Sequence, residues 1–180
     1  MTTVEPIRSK SKLKKIEEIL KKQSERNLLF FIIGTNCGLR ISDILALNVE
    51  DVKNKTHIQI VEKKTGKFKK IPINAKLKPL IKNFTAGKSL NSPLFKTIFN
   101  NRMERFAAYH IIKNACKKAH VEEKVGTHTL RKTFGYHYYK KYKDIAMLQK
   151  IFNHSSQEIT MRYIGIEQDK IDKSYKEFIL

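Results

Sequence analysis

One short pair of β-forming segments interrupts a chain whose remaining patterns have helical spacing. Residues 58–62 and 68–73 alternate or carry β-forming side chains, and a Thr-Gly pair separates them, which predicts a β-hairpin. Ser9 or Ser11 is expected to cap a first helix. Further helices are predicted at about 25–37, 42–47, 74–84, 101–119, 128–142, 144–152, 156–163 and 167–179. The sequence therefore predicts one mainly helical domain with a small β-hairpin or sheet, an α+β fold.

Local stop and start signals refine these boundaries. Gly38 follows the helical pattern that precedes it and is expected to end that helix. Ser42 and Thr127 are expected to cap the helices that follow them. Ser155 and Glu158 form a capping-box pattern at the start of a later helix.

The chain is strongly basic, with 37 Lys and Arg against 17 Asp and Glu, a net charge of +20 and a pI near 9.9. Such an excess is typical of nucleic-acid binding, although an anionic membrane surface would also attract it. The longest apolar run, Leu28 to Ile33, is far shorter than a membrane span, and residues 1–8 form a short leader without a signal-peptide pattern. Cys37 and Cys116 are expected to be buried free thiols. We therefore expect a cytoplasmic protein that binds nucleic acid and no membrane.

Six polar side chains scattered along the chain form a chemical inventory for attacking a phosphodiester. They are Arg40, Lys64, His128, Arg131, His154 and Tyr163. Guanidinium groups neutralise phosphate oxygens, a phenol forms a covalent intermediate, and imidazole and ammonium groups move protons. No acidic cluster that would hold a metal accompanies them, so neither a metal nor another cofactor is expected. Taken singly, each has an ordinary structural explanation, such as an arginine at a helix end, a surface histidine or a packed tyrosine.

Three short segments make this set specific, and they occur in a fixed order. Residues 37–47 read CGLRISDILAL, residues 128–134 read HTLRKTF, and residues 153–163 contain NHSS followed by TMRY. They resemble the first arginine box, the His-x-x-Arg box and the terminal histidine and nucleophile box of the tyrosine recombinase, or phage integrase, family. The resemblance extends from about Arg26 to Tyr163 and implies the catalytic-domain fold of that family.

The resemblance also implies a role for most members of the set. Tyr163 would be the nucleophile, and Arg40 and Arg131 would clamp the phosphate that it attacks. His154 would donate a hydrogen bond to a phosphate oxygen, and His128 would take or hold the proton of the nucleophile. Among the tyrosines, only Tyr163 has the required spacing from His154 and the Thr-x-x-Tyr context.

The hairpin turn carries five lysines within eight residues, from Lys63 to Lys70. Lys64, which precedes Thr-Gly, matches the catalytic hairpin lysine of the family, and this role is to protonate the leaving 5′ oxygen. Lys63 and Lys67 are rivals for that role. The lysines expected to contact DNA are Lys63, Lys67, Lys69, Lys70 and Lys132.

Two positions depart from the family pattern. Asp43 stands where many members have Glu, and we expect it to support Arg40 through a charge-assisted hydrogen bond. Asn153 stands where the family usually has Gly, and asparagine is the next best residue for a left-handed backbone. The turn before His154 is therefore expected to survive.

The resemblance implies a site-specific DNA recombinase or integrase that cleaves and rejoins strands through a 3′-phosphotyrosine, within a homotetramer on double-stranded DNA. Two alternatives stay open: a type IB topoisomerase-like relaxase with the same chemistry, and a non-catalytic DNA-binding accessory protein. Only 39 residues precede Arg40, so residues 1–180 are expected to be a single catalytic domain without the usual N-terminal core-binding domain. The apolar residues of 169–180 are expected either to pack on their own domain or to exchange onto a neighbouring protomer.

Overall fold

Helices make up most of the fold, and one β-hairpin completes it. The structure, a computed structural model, describes residues 4–179. In chain order its elements are α1 (Lys10–Gln23), α2 (Glu25–Cys37), α3 (Ile41–Ala46), a 3₁₀ turn (Val49–Asp51), β1 (His57–Val61), β2 (Phe68–Pro72), α4 (Leu77–Thr85), α5 (Arg105–Lys118), α6 (Thr129–Tyr142), α7 (Ile145–Phe152), α8 (Gln157–Tyr163) and α9 (Ile166–Glu177). The strands pair antiparallel, with His57 opposite Pro72 and Val61 opposite Phe68. The predicted mainly helical fold with one small β-hairpin is confirmed.

Helix α2 forms the centre of the larger hydrophobic core. Its residues Leu28–Ile33 are all buried, and Phe30 meets Phe95 edge-on with ring centroids 5.6 Å apart. The helix packs against α1, α4 and α6, so apolar side chains are needed on several sides of it rather than along one stripe. The contact with α6 is close, because a Cβ at Gly34 would lie only 2.5 Å from a methyl carbon of Leu130. Helix α2, which precedes the first arginine box, is therefore held against α6, which contains the second arginine.

A smaller hydrophobic cluster joins α6 to the three C-terminal helices. Its buried members are Tyr136, Leu148, Phe152, Ile164 and Ile166. Gly135 allows the close approach, since a Cβ there would lie 2.6 Å from Ile164 and 2.7 Å from the ring of Phe152. This packing fixes α8, and with it Tyr163 at the last position of that helix.

The N-terminal strap, residues 4–9, lies along α6 and reaches α9. Ile7 is fully buried and donates its backbone N–H to the hydroxyl of Thr133 over 2.9 Å. Arg8 donates from Nε to a carboxylate oxygen of Asp169 over 3.0 Å. The segment precedes the first helix as expected, and the buried isoleucine and these contacts fasten it to the domain. The first three residues of the expected leader lie outside the described residues.

The N-caps of α3 and α6 differ from the predicted residues. The N-cap of α3 is Arg40 rather than Ser42, which lies inside the first turn of the helix. The N-cap of α6 is His128 rather than Thr127, and the hydroxyl of Thr127 accepts a hydrogen bond from Arg105 instead. In both places the backbone enters the helix one or two residues away from the residue with the better capping side chain.

Two further boundaries differ near the ends of other helices. The side chain of Ser156, not Ser155, caps α8 by accepting the N–H of Ile159 over 3.2 Å. Helix α5 begins at Arg105 rather than near residue 101, because Lys96 and Arg102 first pair in an antiparallel bridge. The predicted helix end at Gly38 is confirmed, and the prediction that Ser9 caps α1 is also confirmed.

Cys37 and Cys116 are free and buried, as the sequence predicts, and burial raises the pKa of each thiol to about 12. Within residues 4–179, none of the helices combines the length and the apolar character that a membrane crossing requires.

Candidate active site

One cavity of about 340 Å³ brings together all six side chains of the predicted set. It is lined by Arg40, Lys64, Thr65, His128, Arg131, Asn153, His154, Ser155, Ile159 and Tyr163. The lining residues come from the start of α3, the hairpin turn, the start of α6 and the segment from the end of α7 through α8. Elements that are far apart in the chain therefore converge on a single cleft.

Arg131 ties the separate parts of the cleft together from the first turn of α6. It is only 2% exposed, and its two terminal nitrogens donate to the backbone carbonyls of Gly38 and Phe152, the second over 2.8 Å. Its guanidinium carbon lies 4.3 Å from the ring centroid of Phe152. Gly38, which supplies one of these carbonyls, has a left-handed backbone. It also packs closely against Phe134, because a Cβ at position 38 would lie 2.5 Å from that ring. Arg131 still lines the cavity, so the guanidinium is anchored on one side and open to a ligand on the other.

Arg40 is held by a carboxylate that the sequence did not single out. Its Nη1 donates to Oε1 of Glu62 over 2.7 Å, and the side chain of Glu62 is 0% exposed. Glu62 also accepts from Lys69 at 3.0 Å and from the hydroxyl of Thr65 at 2.7 Å. Burial would raise the pKa of this carboxyl group, but these hydrogen bonds and the charges of Lys69 and Arg40 outweigh it and lower the pKa to about 2. The signal in the sequence was one acidic residue at the start of a lysine run.

Asp43 does not take the role expected for it. Instead of contacting Arg40, its Oδ1 accepts the backbone N–H of Lys63 over 3.0 Å. Its Oδ2 is buried and has no hydrogen-bond partner among the described residues. The prediction of a hydrogen bond to Arg40 is wrong, because Glu62 occupies that guanidinium, and Asp43 supports the site by holding the start of the hairpin turn.

The hairpin lysines divide into exposed and engaged side chains. Lys63, Lys64 and Lys70 are exposed, and Lys64 is the one that lines the cavity. Lys67 is exposed as well, but its ammonium donates to Oδ1 of Asn153 over 2.6 Å. Of these lysines, Lys64 has the position that suits a proton donor in the cleft.

Two lysines that were expected to contact DNA are engaged inside the protein. The ammonium of Lys69 binds Glu62 and the carbonyl of Ile151, the latter over 2.6 Å. Lys132 is only 6% exposed, and its ammonium lies 5.0 Å from the ring centroid of Tyr163. In this arrangement Lys69 is engaged by protein groups, and a contact of Lys132 with DNA stays a prediction.

Tyr163 presents its hydroxyl to His128, with 3.3 Å between the phenolic oxygen and Nδ1. Its ring meets those of His154 and Phe152 edge-on, with centroids 5.1 Å and 5.6 Å away. Burial raises the pKa of the phenol, although the positive charges of Arg131 and Arg40 oppose the shift. The phenol is therefore protonated at neutral pH.

Both histidines are kept neutral by their surroundings. Burial lowers the pKa of His128, and the nearby positive charges of Arg105 and Arg131 add to the effect. Burial and the charges of Arg131 and Arg40 lower the pKa of His154 to about 4. A neutral imidazole keeps one nitrogen lone pair, which makes His128 suited to accept a proton from a neighbouring hydroxyl.

The turn before His154 has the geometry that the sequence predicted. Asn153 adopts a left-handed backbone, with φ of 53° and ψ of 48°. Nδ1 of His154 is hydrogen-bonded to the hydroxyl of Thr160 over 3.1 Å, which orients the ring and leaves Nε2 for another partner. The departure from glycine thus keeps the turn and adds a side chain that Lys67 binds.

Among residues 4–179, no three His, Cys, Asp or Glu side chains are grouped so that they would share a metal ion. The cleft instead supplies positive charge from side chains, chiefly the two guanidiniums and the ammonium of Lys64. These groups match the charge and the geometry of a phosphodiester.

A tyrosine, two arginines, two histidines and a hairpin lysine around one cleft of a mainly helical domain define a catalytic domain of the tyrosine recombinase class. The phage integrase family model matches residues 9–169, and the chain belongs to that family. It is 48% identical to a probable integrase/recombinase, YoeC, of Bacillus subtilis (strain 168), over 99% of this chain and 98% of that protein. It is 29% identical to the tyrosine recombinase XerA of Pyrococcus furiosus, over 88% of this chain and 56% of that protein.

Solved structures show the same fold at low sequence identity. A XerA recombinase superposes with a TM-score of 0.76 at 20% identity, over 97% of this chain and 66% of that one. The catalytic domain of bacteriophage HP1 integrase gives 0.68 at 23% identity, over 96% and 95%. A XerH recombinase bound to a palindromic difH substrate gives 0.73 at 20% identity, over 97% and 54%. The chain spans nearly all of YoeC but about half of its Xer relatives.

Proposed function

We propose that this chain is a site-specific DNA recombinase that breaks and rejoins DNA strands through a 3′-phosphotyrosine. The observation that carries the proposal is the hydroxyl of Tyr163, 3.3 Å from Nδ1 of His128, in a cavity that Arg40 and Arg131 also line. Membership of the phage integrase family and the likeness to YoeC support it. The proposed substrate is double-stranded DNA, and the proposed location is therefore the cytoplasm.

The first half of the reaction cleaves one strand. The oxygen of Tyr163 attacks the scissile phosphorus in line and transfers its proton to His128. Arg40, Arg131 and His154 stabilise the negative charge that develops on the phosphate oxygens, which is the preorganised electrostatic effect of an oxyanion site. The bond from phosphorus to the 5′ oxygen breaks, and Lys64 donates a proton to that oxygen.

The second half reverses the first with a different strand. A 5′-hydroxyl attacks the phosphotyrosine, and its proton passes to the lysine. The phenolic oxygen leaves and regains a proton from His128. One phosphodiester is broken and one is formed, so the energy of the bond is conserved and neither ATP nor an activated nucleotide is needed.

Covalent trapping tests this proposal against a non-catalytic DNA-binding role. Nicked duplexes of randomised sequence, whose short 5′-hydroxyl strand is lost after cleavage, should accumulate a protein–DNA adduct that resists denaturing detergent. Mapping should locate the 3′-phosphate on Tyr163. Binding without any adduct would instead favour the accessory protein.

A topoisomerase-like relaxase would form the same adduct, so a second assay separates the two enzymes. A recombinase should exchange strands between two duplexes that carry the sequence found in the trapped adducts. A relaxase should instead remove supercoils from a plasmid without joining different duplexes. The exposed apolar residues at the end of the chain favour the recombinase. They are Ile171 (44% exposed), Tyr175 (77%), Phe178 (68%) and Ile179 (87%).

The second half of α9 and the two residues after it have the character of a surface for another protomer. Its first half is fixed to its own domain through buried Ile166 and the contact of Asp169 with Arg8. The apolar side chains beyond residue 170 are exposed, so self-packing, one of the two expectations for 169–180, accounts only for the first half of α9. We therefore propose that Tyr175, Phe178 and Ile179 dock on a neighbouring protomer in a homo-oligomer on DNA.

Replacing Tyr175, Phe178 and Ile179 together with serine should lower synapsis and strand exchange while sparing adduct formation on a single site. These side chains are already exposed, so the fold loses little. Native gels with two-site DNA and the covalent trapping assay measure the two effects. Serine at both Ile98 and Phe99, which are 87% and 78% exposed, provides the control for the loss of exposed apolar surface. Normal recombination by the triple variant would rule out the proposed docking.

Replacing Lys64 with alanine should slow cleavage by roughly 10²–10⁴-fold, the usual contribution of a general acid. A substrate with sulfur in place of the leaving 5′ oxygen should restore the rate, because a sulfur leaving group needs no protonation. Single-turnover cleavage of both substrates is the measurement, and Lys55→Ala is the control for loss of a lysine outside the cleft. Rescue of Lys63→Ala or Lys67→Ala instead would move the role to that lysine.

A further inference from the structure

The buried side chain of Glu62 contacts Arg40, Lys69 and Thr65, and no function has been assigned to it so far. We propose that Glu62 is a positioning residue, which orients Arg40 toward the phosphate and holds the hairpin turn that carries Lys64. The inference rests on the proposed DNA cleavage reaction and concerns how its groups are arranged. Glu62 lies outside the cavity lining, so it acts through its neighbours and not on the substrate.

The first carboxylate oxygen restrains Arg40. Oε1 accepts from Nη1 of Arg40 at 2.7 Å and from the ammonium of Lys69 at 3.0 Å. The side chain of Glu62 is 0% exposed, whereas those of Arg40 and Lys69 are 16% and 18% exposed. A carboxylate buried this deeply, with two cationic partners, keeps a fixed geometry, and a guanidinium bound to it at one nitrogen loses most of its alternative rotamers. The remaining N–H groups of Arg40 are left for the phosphate.

The second carboxylate oxygen and the backbone of Glu62 close the hairpin turn. Oε2 accepts the hydroxyl of Thr65 over 2.7 Å. The backbone carbonyl of Glu62 accepts from Gly66, and its N–H donates to the carbonyl of Lys67, both over 2.9 Å. Lys64 lies inside the loop that these three bonds close. One residue therefore fixes both the phosphate clamp and the proposed proton donor.

The same network reaches the turn that carries His154. Lys69, bound to Glu62, donates to the carbonyl of Ile151 over 2.6 Å, and Lys67 donates to Asn153 over 2.6 Å. These bonds hold the hairpin against the end of α7. Preorganisation of this kind lowers the barrier because the groups need not be reoriented at the moment of reaction.

A negative charge beside a phosphate-binding arginine opposes DNA binding. The effects of losing that charge on DNA affinity and on cleavage therefore distinguish a positioning role from a purely structural one. Replacing Glu62 with glutamine removes that charge with almost no change in shape. DNA affinity should stay the same or increase, while cleavage should slow by roughly 10- to 100-fold, the range expected for misplaced reacting groups. A residue that served only the fold would not weaken catalysis while preserving affinity.

The test compares Glu62→Gln with Glu50→Gln, an exposed carboxylate on the 3₁₀ turn outside the cleft, in single-turnover cleavage of three nicked substrates. One has an ordinary phosphodiester, one a neutral methylphosphonate at the scissile position, and one a sulfur leaving group. The methylphosphonate lacks the charge that Arg40 neutralises, so the defect of Glu62→Gln should shrink there. It should also shrink on the sulfur substrate, which does not depend on Lys64.

A second variant keeps the inference testable if Glu62→Gln does not fold. Thr65→Val removes the hydroxyl that donates to Oε2 and accepts the N–H of Lys67 over 3.4 Å, and it keeps the side-chain shape. Its defect should be relieved by the sulfur substrate and not by the methylphosphonate. Wild-type cleavage by folded Glu62→Gln, or an equal defect on all three substrates, would overturn the positioning role. An absence of adduct with the wild-type chain and Glu50→Gln would instead overturn the proposed function itself.

Discussion

Replacing Tyr163 with phenylalanine is expected to abolish covalent attachment to DNA while leaving DNA binding nearly intact. The change removes one oxygen, which is the proposed nucleophile and lies 3.3 Å from Nδ1 of His128. The ring keeps its edge-on contacts with His154 and Phe152, so the cleft retains its shape. Denaturing gels of the trapped adduct and a binding titration measure the two outcomes.

Two other tyrosines provide the comparison for this result. Tyr142 and Tyr175 are 56% and 77% exposed, and neither lines the cavity. Their phenylalanine variants should form the adduct at the wild-type rate. If Tyr163→Phe still formed a 3′ adduct, or if only one of these variants lost it, the nucleophile would have to be reassigned.

Replacing Arg40 with alanine is expected to slow cleavage by roughly 10²–10³-fold, the usual effect of losing one donor at an oxyanion site. Arg40 contacts Glu62 and otherwise faces the cavity, so its loss should affect the reaction more than the fold. Single-turnover cleavage and thermal unfolding, measured on the same variant, separate the two effects. Arg162→Ala is the matched control, because Arg162 is an exposed arginine that directly precedes Tyr163.

Arg131 should behave differently from Arg40 although both are proposed to clamp one phosphate. Arg131→Ala should also slow cleavage, but it leaves the buried carbonyls of Gly38 and Phe152 without their donor. An unsatisfied buried polar group costs about 1–3 kcal/mol, so the unfolding temperature should fall as well. Wild-type cleavage by either alanine variant would remove that arginine from the proposed clamp.

Much of the fold and the membership of the cleft could be predicted from the sequence because the signals are local. Gly38 ends α2 through its own backbone preference, and Asn153 adopts the left-handed turn for the same reason. The His-x-x-Arg spacing places His128 at the N-cap and Arg131 in the first turn of one helix. Each of these inferences needs only a few neighbouring residues.

The contacts that support the cleft could not be predicted, because they depend on the tertiary arrangement. Glu62 and Arg40 are 22 residues apart, and nothing in a lysine-rich hairpin indicates which cation its one carboxylate binds. A run of lysines likewise gives no sign that Lys69 turns inward while Lys70 stays exposed. Lys132 is buried because α6 is covered on the side that also faces Tyr163.

The N-terminal strap connects the beginning of the described chain to the first half of α9. Arg8 donates a hydrogen bond to Asp169, six residues beyond Tyr163. Gly165 leaves room for the strap, since a Cβ there would lie 3.0 Å from an Arg8 nitrogen and 3.5 Å from Pro6. Tension applied at the beginning of the strap would therefore be borne by α6 and α9, on either side of Tyr163 in the fold. A load attached there would therefore pull on α9, the helix that follows Tyr163, and on the core around α2, to which Ile7 belongs.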